Sequence, residues 1–235
     1  MNRVDKSRGF TLIELMLAMS FVSMLLVAIA LTVIQIGNIY NQGLTLKDVN
    51  QAGRSLTSEL QRSIAQIAPF NINPGIGSRY IVQDWGGRLC IGQYSYIWNY
   101  GDALKNNDSA RLNIYSNSNN QIRFVKAVDP NASYCIESSK KIDSTTATEL
   151  LNVGEHDLAI HNFTVSTNNS ASDSKTGQQM YSIEFFIGTN DQNALTTSAS
   201  TNNVMCKPPD QPGADPAYCS INQFDIVARA GNSFQ

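Results

Sequence analysis

The chain has 235 residues, with 17 Lys and Arg against 19 Asp and Glu, so its formal net charge is −2. A protein whose main task is to hold nucleic acid usually carries a strongly basic surface, and this balance argues against that class. Charged residues make up only 15% of the chain, against about 25% in an ordinary soluble domain, while the hydrophobic share of 42% is close to normal. The composition therefore averages two unlike regions.

The first region, from Phe10 to Ile36, predicts a membrane span. Its 27 residues contain Glu14 as their only ionisable side chain. As a helix they would be about 40 Å long, against a hydrocarbon thickness of about 30 Å, which is enough to span with tilt. A cleaved secretory signal has a shorter apolar core, of roughly 7 to 15 residues.

The charges on either side of this span predict its orientation. Residues 1–9 contain Arg3, Lys6 and Arg8 against Asp5, whereas the next charges downstream are the balanced pair Lys47 and Asp48. By the positive-inside tendency, the amino terminus stays in the cytoplasm and the rest of the chain is exported.

Residues 37–68 continue the helix as an amphipathic segment. Pro69 follows the last apolar position and predicts a stop, so one helix is expected from about Phe10 to about Ala68. The apolar positions recur mostly at spacings of three or four, as on one face of a helix. They are Ile39, Leu46, Val49, Gly53, Leu56, Leu60, Ile64 and Ile67.

Residues 69–235 predict one β-rich globular domain. Short β-prone runs alternate with turn-rich stretches, and several runs show the two-residue alternation of a half-buried strand. The Asn-rich stretches 116–120, 166–177 and 189–203 are expected to be loops. The expected fold class is α+β, with an antiparallel sheet packed on the amphipathic half of the helix. The predicted strands are Arg79 to Val82, Arg88 to Trp98, Ala110 to Ser116, Gln121 to Ala127, Leu158 to Ser166, Met180 to Ile187 and Phe224 to Ala230.

All four cysteines lie beyond the span, which suits an exported domain in an oxidising compartment. Four cysteines allow three pairings. Cys206 and Cys219 bracket a Pro-rich loop without periodicity, which favours pairing them and leaves Cys90 with Cys135. Buried free thiols are the alternative.

The junction before the span carries a specific motif. The residues RGFTLIEL, from Arg8 to Leu15, resemble the processing motif of type IV prepilins and of the pseudopilins of type II secretion. This resemblance implies that residues 1–9 are a basic leader cut after Gly9 by a prepilin peptidase. It also implies that Phe10 becomes the N-methylated mature terminus and that Glu14 stands at the fifth mature position.

Glu14 has a physical interpretation of its own. A carboxylate about one turn into an apolar span is costly unless it finds a partner or water. The ammonium on Phe10 after cleavage is a natural partner, and we expect that pair to form between neighbouring subunits, which gives Glu14 a role in assembly. The alternative is a carboxylate that reaches back to the membrane interface.

Two further segments bear a softer resemblance to a narrower group. Cys90 to Gly101 and Ile221 to Asn232 are similar to stretches of PilW-like minor pilins, which are related to J-type minor pseudopilins. Many major pilins have a proline near the middle of the membrane half, and this span has none, which also favours a minor subunit. The resemblance implies a type IV pilin-like fold and a structural role in initiating or capping a pilus.

The partners implied by the resemblance are other major and minor pilins, the prepilin peptidase, the inner-membrane assembly platform with its ATPase, and membrane lipid before assembly. Its implied location is the bacterial inner membrane, in a single pass with the globular domain periplasmic, and then the pilus or pseudopilus. Two alternatives stay open: a J-type minor pseudopilin of a type II secretion system, and a membrane-tethered periplasmic binding domain whose helix is only an anchor.

The sequence does not favour an enzyme. His156 and His161 are five residues apart in a predicted loop and strand, and neither belongs to a helical HExxH zinc motif, so both are expected at the surface. No cofactor, metal site or nucleic-acid partner is predicted. Asp210 to Asp215 has acidic residues and carbonyls for calcium, but its spacing is not that of an EF-hand loop.

Overall fold

The computed structural model describes residues 10–106, 112–116, 121–151, 157–167, 177–198 and 203–231. Contacts divide the chain into two compact units, the first ending at Asn41 and the second beginning at Gln42. Each unit is described by itself.

The first element is a helix, α1, at Leu12–Ala65. Its large apolar side chains from Leu12 to Tyr40 are all exposed, whereas a stripe of its later residues is buried, among them Val49, Leu56 and Leu60. Burial thus begins later than predicted, since Ile39 and Leu46 are exposed. The helix also ends three residues before the predicted Ala68, where Ile67 N–H donates to the Ile64 carbonyl at 3.3 Å and tightens the chain ahead of Pro69.

Ten strands and two short helices follow in the described residues of the second unit. The helices are α2 at Gly101–Asn106 and α3 at Ser133–Ile136. The strands are β1 (Tyr80–Gln83), β2 (Gly86–Ile91), β3 (Tyr94–Asn99), β4 (Phe124–Val128), β5 (Ala147–Glu149), β6 (Leu158–Thr167), β7 (Gln179–Thr189), β8 (Leu195–Thr197), β9 (Val204–Cys206) and β10 (Ile221–Ala230).

These strands form two main antiparallel sheets. The first has five strands in the order β1-β2-β3-β4-β5, so consecutive strands are neighbours throughout. The second has three strands in the order β10-β7-β6, with all ten residues of β10 paired to β7. A separate two-stranded ribbon joins β8 to β9.

The predicted strands differ from the observed ones in several places, and β5 and β9 were not predicted. The run from Arg88 to Trp98 is two strands, because Gly92 takes a φ of +59° and turns the chain between them. In the run from Ala110 to Ser116, the described residues Ile114 and Tyr115 form only isolated bridges, and residues 107–111 lie outside the described part. The predicted loop 189–203 contains β8.

One hydrophobic core lies between α1 and both main sheets. The buried stripe of α1 joins aromatic side chains from β3, β4, β6 and β7. Trp98 and Phe163 have ring centroids 4.3 Å apart, and Phe163 and Phe185 are 5.9 Å apart, so aromatic contacts connect the five-stranded sheet to the three-stranded one. The chain therefore has the α+β architecture expected from its sequence, with a long apolar helix packed on antiparallel sheets.

Candidate functional site

The amino-terminal junction is the first part of the candidate site. Gly9 and the rest of the predicted leader lie outside the described residues. Phe10 and Thr11 directly precede the helix, and the Phe10 side chain is 85% exposed.

Thr11 and Glu14 form a reciprocal cap on α1. The Glu14 carboxylate accepts hydrogen bonds from the Thr11 backbone N–H and from the Thr11 hydroxyl, each at 2.9 Å. In return, the Glu14 backbone N–H lies 3.3 Å from the Thr11 hydroxyl oxygen. This is a capping box, in which a threonine and a glutamate three residues later satisfy the open amides of a helix start.

The cap gives Glu14 a partner within its own helix, which the sequence interpretation did not identify. The signal was present, since Thr11 and Glu14 have the T-x-x-E spacing immediately before a long apolar run. The carboxylate is thereby held beside the amide that follows Phe10.

The other hydroxyl side chains of the apolar segment are also satisfied within the helix. Ser20 donates to the Leu17 carbonyl at 2.9 Å, Ser23 to the Met19 carbonyl at 2.8 Å, and Thr32 to the Ala28 carbonyl at 2.9 Å. Polar groups in hydrocarbon need such internal partners, because no water is available there. The hydroxyls of this segment are therefore compatible with lipid.

The apolar part of α1 is long and apolar enough to cross a membrane. Its exposed side chains include Phe21, Leu26 and Ile34, each more than half accessible. Because exposed apolar surface on this scale is unfavourable in water, the segment requires lipid or other apolar helices around it.

A polar network fixes the second half of α1 to the five-stranded sheet. The Glu59 carboxylate accepts from Lys126 Nζ at 2.5 Å, from the Tyr96 hydroxyl at 2.9 Å and from Ser63 at 3.3 Å. Tyr96 also shares a 2.6 Å hydrogen bond with Ser63, and Lys126 Nζ lies 3.8 Å from the centroid of the Tyr94 ring. One helix face is thus held to two adjacent strands.

The electrostatics of this network favour the ionised carboxylate. Burial raises the pKa of Glu59, but the hydrogen bonds from Lys126, Tyr96 and Ser63, together with the Lys126 charge, outweigh it and leave the pKa below its ordinary value. Burial raises the pKa of Tyr96 well above its ordinary value, so its hydroxyl keeps its proton.

Two disulfides stabilise the domain, with the pairing that the sequence favours. Cys90 on β2 is bonded to Cys135 in α3, and Cys206 at the end of β9 is bonded to Cys219. These bonds indicate an oxidising compartment. The loop between Cys206 and Cys219 contacts α1, where the Thr45 hydroxyl donates to the Ala217 carbonyl at 3.2 Å.

Arg88 organises the segment that the first disulfide anchors. Its side chain is 5% exposed, and its guanidinium donates to the side-chain oxygen of Asn113 and to the carbonyls of Tyr134, Glu137 and Lys140. Burial lowers the pKa of Arg88 to about 10. The guanidinium therefore holds the main chain of residues 134–140 in place through hydrogen bonds. The sequence analysis did not identify this role.

His161 lies on β6 and is only partly exposed, which corrects the expectation of a surface residue. One of its ring nitrogens is 3.1 Å from the Thr189 carbonyl, and burial lowers its pKa. His156 lies outside the described residues. Within the described ranges, no three His, Cys, Asp or Glu side chains are grouped in a way that would hold a metal ion.

Comparison of the chain with protein-family models, with curated proteins and with solved structures finds no match. The function of the chain is therefore inferred from its own residues and contacts.

Proposed function

We propose that this chain is a minor type IV pilin of the PilW-like kind, a structural subunit that helps to initiate or cap a pilus. The observation that carries the proposal is a capped apolar helix that begins directly after the Gly9–Phe10 junction, exposes its side chains from Leu12 to Tyr40, and continues as the buried helix of a disulfide-bonded domain. In this proposal the domain has the type IV pilin-like fold.

The exposed helix supports a role in assembly. Its apolar side chains face outward on all sides, so it suits a lipid bilayer before assembly and a bundle of similar helices afterwards. When such a subunit passes from the membrane into the filament, its apolar side chains stay in apolar surroundings. Its partners are then other major and minor pilins, the prepilin peptidase, and the assembly platform with its ATPase.

Glu14 is proposed to take part in assembly at the mature amino terminus. Cleavage after Gly9 releases a positively charged amine on Phe10. This amine is next to the Thr11 backbone N–H, which already donates a hydrogen bond to the Glu14 carboxylate. Both hydrogen bonds from Thr11 go to one carboxylate oxygen, Oε2, and we propose that the other oxygen accepts from the Phe10 amine of a neighbouring subunit. That charge pair in an apolar bundle would fix the axial position of each incoming helix.

The proposed location follows from the charges and the disulfides. We propose that the basic residues of 1–9 keep that end in the cytoplasm and that the domain lies in the periplasm, so that the chain crosses the inner membrane once. The two disulfides support this proposal, because they indicate an oxidising compartment. We propose no catalytic activity, cofactor or nucleic-acid partner for it.

The first experiment is to determine the mature amino terminus and its mass. The tagged chain is expressed with and without a prepilin peptidase, and intact-mass and terminal sequencing measurements are made on each product. We expect a chain that begins at N-methylated Phe10 only when the peptidase is present. A retained leader in a competent cell, or cleavage beyond the apolar segment, would reject the pilin proposal and favour a tethered or secreted domain.

A pair of variants separates the filament subunit from a simple anchor. If the helix is only an anchor, the Glu14→Val variant should behave like the wild type, because the segment stays apolar. If the chain is a filament subunit, the variant should still be processed but should no longer be incorporated into pili. The matched control is Ala28→Val in the same segment, which adds apolar volume without removing a charge. Incorporation into secreted pseudopili, with no effect on pili, would favour the J-type pseudopilin alternative.

A further inference from the structure

The two main sheets end in free edges that face a common groove. β1 is the first strand of the five-stranded sheet and β6 is the last strand of the three-stranded sheet. Among the described residues, the outer side of β1 has no paired strand, and the outer side of β6 is bridged at Ile160, by Tyr100. Residues of both strands line one groove of about 700 Å³. Ligand-sized clefts are typically in the range of roughly 300 to 1,000 Å³.

Tyr80 closes one end of this groove. Its hydroxyl donates to the Phe163 carbonyl on β6 at 2.8 Å, so a side chain from β1 bonds to the edge that another strand would occupy. Burial raises the pKa of Tyr80 above its ordinary value, and a hydrogen bond from the Val165 amide acts against that rise. The hydroxyl therefore stays protonated and bonds to the outer edge of β6 at Phe163.

The main-chain groups beyond Tyr80 are directed into the groove. Main-chain N–H and C=O groups point to opposite sides of a strand at successive residues. Because the Phe163 carbonyl points away from β7, the main-chain groups of Val165 and Thr167 also point away from β7. On β1, the Tyr80 carbonyl accepts from the Ser78 hydroxyl at 2.8 Å and points away from β2. By the same alternation, the N–H and C=O of Val82 also point away from β2.

The described side chains that line the groove are uncharged. Its apolar surface comes from Ile72, Val82 and Val165, and its polar surface comes from Asn, Ser, Thr and Tyr residues. Val82 is 47% exposed and Ile76, in the loop beside the groove, is fully exposed. An occupant must therefore offer main-chain hydrogen bonds to two strand edges and small or apolar side chains, without charge.

We propose that the groove between β1 and β6 binds an extended, uncharged peptide segment of a partner protein, which adds as a strand to both edges. Main-chain hydrogen bonds to the Val165 carbonyl and to the N–H and C=O of Val82 and Thr167 supply the binding, and alternate side chains of the segment contact Ile72 and Val82. Tyr80 fixes where the added strand ends. This binding mode does not depend on the assembly in which the chain works.

The test uses the full chain in detergent micelles and three capped, uncharged eight-residue peptides, in which Thr or Ser alternates with Val, Leu or Ala. Hydrogen exchange is followed at the amides of Val82 and Thr167. We expect at least one peptide to slow exchange there by fivefold or more. The same peptides with every second amide N-methylated lack one row of donors and are expected to have no effect.

Matched variants locate the effect. Val82→Lys places a charge in the groove and is expected to weaken peptide binding at least tenfold, whereas Val227→Lys changes an exposed valine on the edge strand β10 and leaves binding unchanged. Failure of all three peptides at millimolar concentration would overturn the proposal, as would equal protection by the N-methylated peptides or in Val82→Lys. Protection that grows with protein concentration without peptide would assign the groove to a second copy instead.

Discussion

Gly53 of α1 lies directly against the ring of Phe224 on β10. A Cβ atom at position 53 would overlap three carbons of that ring. Phe224 is held in place by stacking on Phe185, with ring centroids 5.4 Å apart, so the ring cannot move aside without disturbing the sheet. One turn earlier, Asn222 donates to Asn50 at 2.9 Å. The helix approaches the three-stranded sheet this closely because position 53 has no side chain.

Gly53→Val is therefore expected to destabilise the domain by about 1–3 kcal/mol, the usual cost of overpacking a filled interface. Gly43→Ala on the same helix is the control, because a Cβ there meets nothing within 4 Å. Replacing glycine by alanine in an open helical position is expected to stabilise by about 0.5–1 kcal/mol. Chemical denaturation in detergent, followed by tryptophan fluorescence, measures both. Equal effects of the two variants would show that the contact with Phe224 is not limiting.

Thr11→Val is expected to loosen the start of α1, because it removes the hydroxyl that both donates to Glu14 and accepts from its amide. Loss of an N-cap side chain typically costs about 1 kcal/mol, so exchange at the amides of the first turn should become roughly fivefold faster. Thr11→Ser keeps the hydroxyl and is expected to behave like the wild type. Equal exchange in both variants would mean that Glu14 holds the turn without the Thr11 hydroxyl.

Glu59 is expected to make stability depend on pH in the acid range. Its pKa in the folded domain is below the ordinary value of 4.5, so its contribution is complete above that pH and is lost as the pH falls through the lower folded value. Glu59→Gln should be less stable at pH 7 by about 1–2 kcal/mol, and the difference from wild type should shrink below about pH 4.

Other carboxyls of the domain bear on that measurement. Asp129 and Asp143 also have lowered pKa values and act in the same direction, whereas burial raises the pKa of Glu149, whose contribution is lost as the pH rises. Comparing Glu59→Gln with wild type at each pH cancels these contributions. Glu184→Gln is the control for the loss of a carboxylate, because Glu184 accepts from the neutral Gln223 amide at 3.1 Å, and its effect on stability should be smaller than that of Glu59→Gln at pH 7. A constant gap between Glu59→Gln and wild type from pH 7 to pH 3 would contradict the prediction.

The two disulfides are expected to contribute unequally. Cys90 and Cys135 are 45 residues apart and Cys206 and Cys219 are 13 apart, so loop entropy predicts losses of about 4 and about 3 kcal/mol when each pair is changed to serine. Removing the first bond also releases the segment that supplies carbonyls to Arg88, which adds to the loss. Thermal unfolding of the two double variants measures the order, and a larger loss for the Cys206 pair would refute it.

The sequence predicts best what depends on local pattern. The spacing of Val49, Leu56, Leu60 and Ile64 predicts the buried face of α1, and alternation predicts β6, β7 and β10 nearly to their ends. The T-x-x-E cap was equally local and was available from Thr11 and Glu14. Short strands such as β8 were not predictable, because three residues show no period and depend on pairing with a partner strand, β9.

Contacts between distant elements could not be predicted. Glu59 meets Lys126 only because α1, β3 and β4 take particular positions and registers, and no residue near Glu59 in sequence indicates which strand it faces. The bond from Tyr80 to Phe163 likewise depends on how the two sheets meet. Such contacts require the three-dimensional arrangement that the local patterns leave undetermined.

β10 pairs with β7 along its whole length, from Ile221 opposite Gly188 to Ala230 opposite Gln179. Because a chain is synthesised from its amino terminus, β7 is made well before this partner, and until then it has an open edge that invites pairing with other chains. Synthesis that stops anywhere before Ile221 leaves that edge open permanently. Closure by β10 therefore distinguishes chains that contain this strand from shorter fragments, which are expected to stay accessible to proteases and prone to aggregation.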